Sequence, residues 1–146
     1  MVFLYLKVMN QLNIPFKLGM QYDTWEFDLE LAHDRLQGCD SYIYIGKKFN
    51  KFLNYHKYKT ELIFNLDTLE AILISFDNSN SDYNELSEIV NLKLNCFSEN
   101  LDYEEIKICR FVTKTNEVWV IKNNSKLYLL VSNSRYSKNI INTLLW

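Results

Sequence analysis

The sequence predicts an α+β fold in which two or three helices pack on a mainly antiparallel sheet of about seven strands. Short β-rich segments succeed one another across brief polar connections, which is the arrangement that hairpins and antiparallel neighbours require. A helical stripe of apolar residues separates two groups of these segments. The chain has 146 residues, of which 48% are hydrophobic, so residues 1–146 are expected to form a single domain.

The first segment, residues 2–12, is predicted to be a helix. Its apolar residues recur at helical spacing on one face: Val2, Tyr5, Leu6, Met9 and Leu12. The helix should end before Pro15, because a proline disfavours the helical conformation of the residue that precedes it. The apolar run has no positive region before it and is too short to span a bilayer, so we expect a cytoplasmic protein without membrane contact.

Residues 25–31 show the clearest two-residue alternation in the chain and are predicted to form a strand. Its apolar residues should face the core: Trp25, Phe27, Leu29 and Leu31. Its acidic residues should face the other way, spaced by roughly 7 Å along the strand: Glu26, Asp28 and Glu30. Residues 41–45 form a second predicted strand, which should pair antiparallel with the first across a long connection.

The middle of the chain is predicted to contain two strands and a helix. The strands cover residues 60–65 and 69–76, and a polar loop follows at residues 77–81. Ser81 is expected to cap the next helix, which has acidic residues in its first turn. That helix carries an apolar stripe that should face the sheet: Tyr83, Leu86, Ile89, Val90 and Leu94.

The last third of the chain is predicted to be a three-stranded meander followed by a helix. The strands cover residues 106–112, 118–122 and 127–131. Asn123 and Asn124 favour a tight hairpin between the last two strands, because asparagine tolerates a positive φ. The final helix, residues 137–146, should pack four apolar side chains on the sheet: Ile140, Ile141, Leu144 and Leu145.

Composition and motifs exclude several classes of function. With three glycines the chain cannot form a P-loop or a dinucleotide-binding fingerprint, and no Gly-x-Ser-x-Gly motif is present. The two histidines lack metal-ligand spacing, and the three cysteines form no Cys-x-x-Cys pair. We therefore predict no cofactor, no metal and no catalytic residue. The cysteines are expected to be reduced and mostly buried: Cys39, Cys96 and Cys109.

Some weaker candidates for chemistry remain. His33 beside Asp34 has the composition of an acid/base pair. Cys39, next to Asp40 and with His33 nearby in the sequence, could form a thiol-imidazole pair. Residues 47–59 mix basic and aromatic side chains as single-stranded nucleic-acid contacts do, although the rings could equally belong to the core. The net charge of −2 disfavours a nucleic acid as the partner.

The acidic residues before Arg35 are the main candidate site. Five carboxylates occur in a stretch without lysine or arginine: Asp23, Glu26, Asp28, Glu30 and Asp34. Such a set can be a solvated sheet face, a cation site of a metal-dependent nuclease or a surface that binds a basic partner. Tyr42 and Tyr44 share a face of the neighbouring predicted strand and would supply aromatic anchors if that face is the acidic one.

Four segments of the chain resemble immunity proteins of bacterial contact-dependent growth inhibition and other polymorphic toxin systems. They are IPFKLG at 14–19, WEFDLE at 25–30, DSYIYI at 40–45 and LDTLEA at 66–71. The resemblance implies a cytoplasmic, non-enzymatic protein that binds one cognate toxin domain and occludes its active site. These families share no catalytic residues. Many of their toxins are basic nucleases, which fits the acidic stretch.

Three hypotheses follow for the function. The first is a binding protein that neutralises a cognate toxin, in most cases a nuclease. The second is a small metal-dependent nuclease or other hydrolase that uses Glu26 and Asp28. The third is a regulatory interaction module of a mobile element. Scarce histidines, absent glycine loops and the missing basic surplus favour the first hypothesis over the second, and nothing in the sequence separates the first from the third.

Overall fold

The computed structural model describes residues 9, 11–53, 55–76, 82–114 and 116–145, without the side chains of residues 56–58. One antiparallel sheet forms the centre of the fold. In these ranges the sheet has nine strands: β1 (Leu29–Leu31), β2 (Asp40–Tyr44), β3 (Lys51–Phe52), β4 (Tyr55–Asn65), β5 (Thr68–Phe76), β6 (Phe97–Asn100), β7 (Lys107–Val112), β8 (Glu117–Asn123) and β9 (Lys126–Ser132). Eight lie side by side in the order β1-β2-β4-β5-β9-β8-β7-β6, and β3 pairs with β4 beside that path.

Two helices cover opposite faces of the sheet: α1 (Tyr83–Leu94) and α2 (Ser134–Leu145). Alternation along β8 separates the two faces, because Val118 and Val120 belong to the core beneath α1, whereas Trp119 and Ile121 belong to the core beneath α2. We call these the α1 face and the α2 face. The predicted α+β class is therefore confirmed, and β3 and β6 are the two strands that the sequence did not predict.

The two helices match the predicted stripes closely. α1 buries four of its five stripe residues, and α2 buries three of its four: Tyr83, Leu86, Val90, Leu94, Ile140, Ile141 and Leu144. The N-cap of α1 is Asp82, whose carboxylate accepts the backbone N–H groups of Asn84 and Glu85 at 2.9 and 3.2 Å. The predicted cap, Ser81, and the predicted loop at 77–81 lie outside the described residues. No helix in the described ranges is long and apolar enough to cross a membrane.

The first predicted helix is described only near its end. Met9 and Leu12 are helical and fully buried, and the preceding residues of the predicted stripe lie outside the described ranges. The backbone N–H of Ile14 donates to the carbonyl of Met9 at 3.0 Å, which closes the segment before Pro15, as predicted. This end of the helix joins the core of the α1 face.

Tight turns fix the register of the long hairpins. Leu66 and Asp67 connect β4 to β5 with φ angles of 48° and 68°, the paired positive values of a two-residue hairpin turn. Asn124, with a φ of 56°, turns the chain between β8 and β9. The tight hairpin predicted there is confirmed, with Asn123 still paired in β8.

The predicted strand over residues 25–31 is wrong in its first half. Two 3-10 turns precede β1: Tyr22–Thr24 and Glu26–Asp28. The N–H of Asp28 donates to the carbonyl of Trp25 at 2.9 Å, so the backbone curls instead of extending. Phe27, in the second turn, is consequently 91% exposed. Leu31 lies in β1 itself and is 70% exposed, so neither is a core residue. The predicted antiparallel pairing of β1 with β2 is confirmed.

Candidate functional site

The strand β1 forms one open edge of the sheet. Its register with β2 places Leu29 opposite Tyr44 and Leu31 opposite Tyr42. Flanking backbone bonds join Ala32 to Ser41 at 3.0 Å and Ile45 to Asp28 at 2.8 Å. In an antiparallel ladder only alternate residues bond to a given neighbour, so the peptide groups of Leu31 point away from β2. Among the described strands none pairs with β1 on that open side.

Three large apolar side chains are exposed along this edge. Phe27 is 91% exposed, Leu31 is 70% exposed and Ile45 is 56% exposed. The hydrogen bond between Ile45 and Asp28 brings Ile45 next to the turn that carries Phe27. We call Phe27, Leu31 and Ile45 the apolar strip. Leu31 lies opposite Tyr42, at the other end of β1 from Ile45. Exposed apolar residues along one edge are common where a protein meets a partner, whereas isolated ones need no explanation.

The five predicted carboxylates flank Phe27 and Leu31 along the chain. We call Asp23, Glu26, Asp28, Glu30 and Asp34 the acidic rim; four are exposed and Asp28 is half-buried. Their predicted arrangement on one strand face is wrong, because Glu26 and Asp28 lie in a 3-10 turn and only Glu30 lies in β1. The ammonium of Lys48 lies 5.9 Å from the ring centre of Trp25, so a cation borders the acidic rim on one side.

The two predicted tyrosine anchors have different surroundings. They share the α1 face, as the alternation predicts. Tyr44 is 4% exposed and packs edge-on against Phe16 at 4.9 Å, so its side chain presents almost no surface to a partner. Tyr42 is half-buried, lies 4.9 Å from the ring of Tyr22 and sits opposite the exposed Leu31. Burial raises the pKa of Tyr42, so its hydroxyl is neutral at physiological pH.

An aromatic cluster holds the edge in place. The ring of Trp25 packs against Phe16 at 5.0 Å and against Tyr44 at 5.9 Å, in edge-to-face geometry. Phe16 itself is fully buried on the α1 face. Because Trp25 turns inward, the 3-10 turn that follows it directs Phe27 outward. The apolar strip is thus presented from an ordered support.

The other candidates from the sequence, His33, Asp34 and Cys39, differ in their exposure. His33 and Asp34 are exposed, and the Asp34 carboxylate accepts the backbone N–H of Ser41 at 3.4 Å. Cys39 is buried, and burial raises the pKa of its thiol, which disfavours the reactive thiolate. All three cysteines are free thiols. No group of three or more metal-ligating side chains occurs in the part of the chain that the structure describes.

The basic and aromatic stretch at residues 47–59 contributes mainly to packing. Phe49 and Phe52 are buried in the core of the α1 face, and Tyr55 packs against Phe76 at 5.8 Å. The side chains of residues 56–58 lie outside the described set. The rings that are described therefore do not form an exposed stacking surface for bases.

A buried ion pair on the α2 face was not among the residues predicted from the sequence. Nε and a terminal nitrogen of Arg35 donate to the two carboxylate oxygens of Glu61 at 2.8 and 2.9 Å. The remaining nitrogen donates to the Thr143 hydroxyl at 2.9 Å. The Glu61 side chain is 4% exposed. A carboxylate inside an otherwise apolar strand was the available signal, because a buried charge requires a partner.

Comparisons with known proteins give little information about this chain. No family model matches it, and no curated protein matches it. Among solved structures it is similar to a GTP binding regulator from Thermotoga maritima, with a TM-score of 0.43 and 12% identity over 85% of this chain and 84% of that one. A likeness this distant transfers no function.

Proposed function

We propose that this chain is a non-enzymatic binding protein that docks a basic protein domain on the edge formed by β1. The observation that carries the proposal is Phe27, which is 91% exposed at an open sheet edge between carboxylates. An apolar centre with a charged border is the usual anatomy of a protein interface. The aromatic ring would be the anchor, and the acidic rim would select and orient the partner.

The energetics favour a partner over solvent at this edge. Fully burying a phenylalanine or leucine side chain contributes roughly 1.5–3 kcal/mol, and Phe27 and Leu31 forgo most of that contribution in the free protein. Because Trp25 is held by ring packing, the turn that carries Phe27 needs little further ordering on binding. Less of the free energy gained by burial is therefore offset by lost conformational entropy. Long-range attraction by the acidic rim would accelerate the encounter with a basic surface.

Protection of the edge against self-association is the competing explanation. Short strands with charged side chains are a common way to keep sheet edges from pairing, and β1 has three residues and an exposed Glu30. That role explains the acidic rim but not the apolar strip, because an exposed phenylalanine promotes association. The combination of Phe27 with the carboxylates therefore favours recognition of a different protein.

The partner that best fits this edge is a toxin domain. The resemblance to immunity proteins implies a cognate toxin, and the acidic rim complements the basic surface of a nuclease. We place the complex in the cytoplasm, where such a toxin would act. The hydrolase alternative has weaker support, because the carboxylates of Glu26 and Asp28 are spread along an exposed turn. A regulatory module would use the same edge with another basic partner.

Growth protection tests the proposal directly. The exported protein encoded beside this chain would be identified, and its C-terminal domain would be expressed in a bacterium with and without this chain. We expect the wild type to restore growth. The triple variant Glu26→Lys, Asp28→Lys, Glu30→Lys should lose protection, and Phe27→Ala should weaken binding at least about tenfold.

Matched controls separate this edge from general effects of charge and hydrophobicity. Glu88, Glu104 and Glu105 are exposed carboxylates elsewhere, and their triple replacement by lysine should preserve protection. Leu92 is 74% exposed on α1, so Leu92→Ala controls for Phe27→Ala. Association with the purified toxin domain should slow as salt increases. Full protection by the Glu26/Asp28/Glu30 variant would contradict the proposal, as would a neighbouring gene product that does not inhibit growth.

A further inference from the structure

A second candidate site lies on the α2 face, beyond the C-terminal end of α2. The strand registers align Lys59 with Ser75 across β4 and β5, and Ser75 with Tyr128 across β5 and β9. These three side chains form a row across the sheet, with neighbouring strands about 4.8 Å apart. α2 covers the next row, which contains Glu61 and Leu73, and ends before it reaches this one. The row is therefore the floor of an open cleft.

The walls of the cleft come from three parts of the chain. Its volume is about 880 Å³, which lies within the range of small-molecule sites. One wall is the end of α2 with Thr143 and Leu144, and the opposite wall is the turn between β8 and β9, from Asn123 to Lys126. Arg35 borders the cleft and donates to Thr143 at 2.9 Å. The amide of Asn123 donates to the carbonyl of Leu144 at 2.9 Å and links the first two walls.

Unbalanced positive charge distinguishes this cleft. Among the residues that the structure describes, no aspartate or glutamate lines it, whereas Arg35, Lys59 and Lys126 do. The nitrogens of Arg35 are occupied by Glu61 and Thr143, so that ion pair is locally neutral. Lys59 and Lys126 form no ion pair with any carboxylate of the described residues. Two ammonium groups therefore remain available to a ligand.

Hydroxyl donors accompany the two ammonium groups. The side chains of Ser75 and Tyr128 are half-buried in the cleft, and no hydrogen bond to another described side chain or backbone group occupies them. We propose that this cleft binds a small molecule that carries one or more phosphate groups. Ammonium and hydroxyl groups would donate to its oxygens, and charge-assisted bonds of this kind are about twice as strong as neutral ones. The net charge of −2 disfavours a long polyanion as the ligand.

Calorimetric titration of the whole chain with pyrophosphate tests the inference at about 0.15 M salt. We expect saturable binding with a dissociation constant below about 1 mM. Lys59→Gln and Lys126→Gln should each weaken it by about tenfold, because each removes one charge-assisted contact. Lys126 is exposed beside a turn, so its variant should fold even if the Lys59 variant does not.

A charge-matched control variant distinguishes specific binding of pyrophosphate in the cleft from non-specific attraction to positively charged side chains. Lys138 is exposed on α2 and does not line the cleft, so Lys138→Gln should leave pyrophosphate binding unchanged. An equal loss in that variant would overturn the proposal, as would the absence of saturable binding at about 10 mM pyrophosphate. Tighter binding of a short single-stranded oligonucleotide that displaces pyrophosphate would also overturn it, in favour of a nucleic-acid surface. None of these outcomes depends on the toxin partner.

Discussion

The ion pair between Arg35 and Glu61 should dominate the response of the α2 face to mutation. Arg35→Ala removes two hydrogen bonds of 2.8 and 2.9 Å to a carboxylate whose side chain is 4% exposed. Most of the lost stability should come from the unpaired buried charge and less from the lost attraction. The Glu61 carboxylate would remain in an apolar layer without a cation. Removing one partner of such a pair typically costs about 3–5 kcal/mol.

The size of that loss can be compared with the stability of the whole chain. Domains usually unfold with a free energy of about 5–15 kcal/mol, so the variant would lose a large share of it. For a chain of this length the midpoint of thermal unfolding should fall by roughly 10 °C. Thr143→Val leaves both bonds to Glu61 in place. It removes the third contact of Arg35 and the bond that the Thr143 hydroxyl donates to the carbonyl of Ile140, and should cost about 1–2 kcal/mol.

A double-mutant cycle separates the pair from its surroundings. Arg35→Met combined with Glu61→Leu removes both charges while retaining similar volume, and its stability should lie within about 1 kcal/mol of the wild type. Urea unfolding followed by tryptophan fluorescence gives the four free energies, because Trp119 is buried on the same face. A cost of less than about 1 kcal/mol for Arg35→Ala would contradict this prediction, as would a double variant as unstable as Arg35→Met alone.

Further predictions concern the two aromatic environments, alkaline pH and the α1 cap. Phe27→Ala should change the free energy of unfolding by less than about 0.5 kcal/mol, whereas Phe64→Ala, at a buried position, should cost about 3–5 kcal/mol in the same urea experiment. Burial raises the pKa values of Tyr55 and Tyr83 to about 12. The unfolded chain releases these protons near pH 10, whereas the folded chain keeps them. The contribution of the two tyrosines to the free energy of unfolding should therefore be fully present below about pH 10 and decrease between about pH 10 and pH 12. Absorbance titration combined with unfolding curves can measure this decrease. Asp82→Ala should cost about 1 kcal/mol and lower the helical circular dichroism signal, unless another group caps α1.

The sequence predicted long periodic elements better than short ones. The α1 stripe and the β7–β9 meander repeat over many residues, so the period identifies both the element and its buried face. β6 has no such signal: three of its four residues are exposed, and it is the last strand of the sheet path. A strand without a buried face leaves no hydrophobic pattern to detect.

Contacts between residues that are distant in the sequence could not be predicted from it. Arg35 and Glu61 are 26 positions apart and meet only because β2 pairs with β4 next to the end of α2. The row of Lys59 with Ser75 and Tyr128 likewise requires the β4-β5-β9 order. Alternation placed Tyr42 and Tyr44 on the same face correctly. It could not show that Phe16 and Trp25 cover one of them and leave the other half exposed.

The error at residues 25–31 coincides with the candidate binding edge, and the coincidence has a physical basis. Alternation of apolar and acidic residues predicts a half-buried strand only if the apolar side has a core to enter. Here the 3-10 turn at Glu26–Asp28 removes Phe27 from that side, and Leu31 stays 70% exposed in β1, at the open edge of the sheet. Residues 25–31 therefore keep the alternation of apolar and acidic residues, although Phe27 and Leu31 are not buried. Local rules that fail in this way are expected at functional sites, where apolar residues are kept for a partner and not for the core.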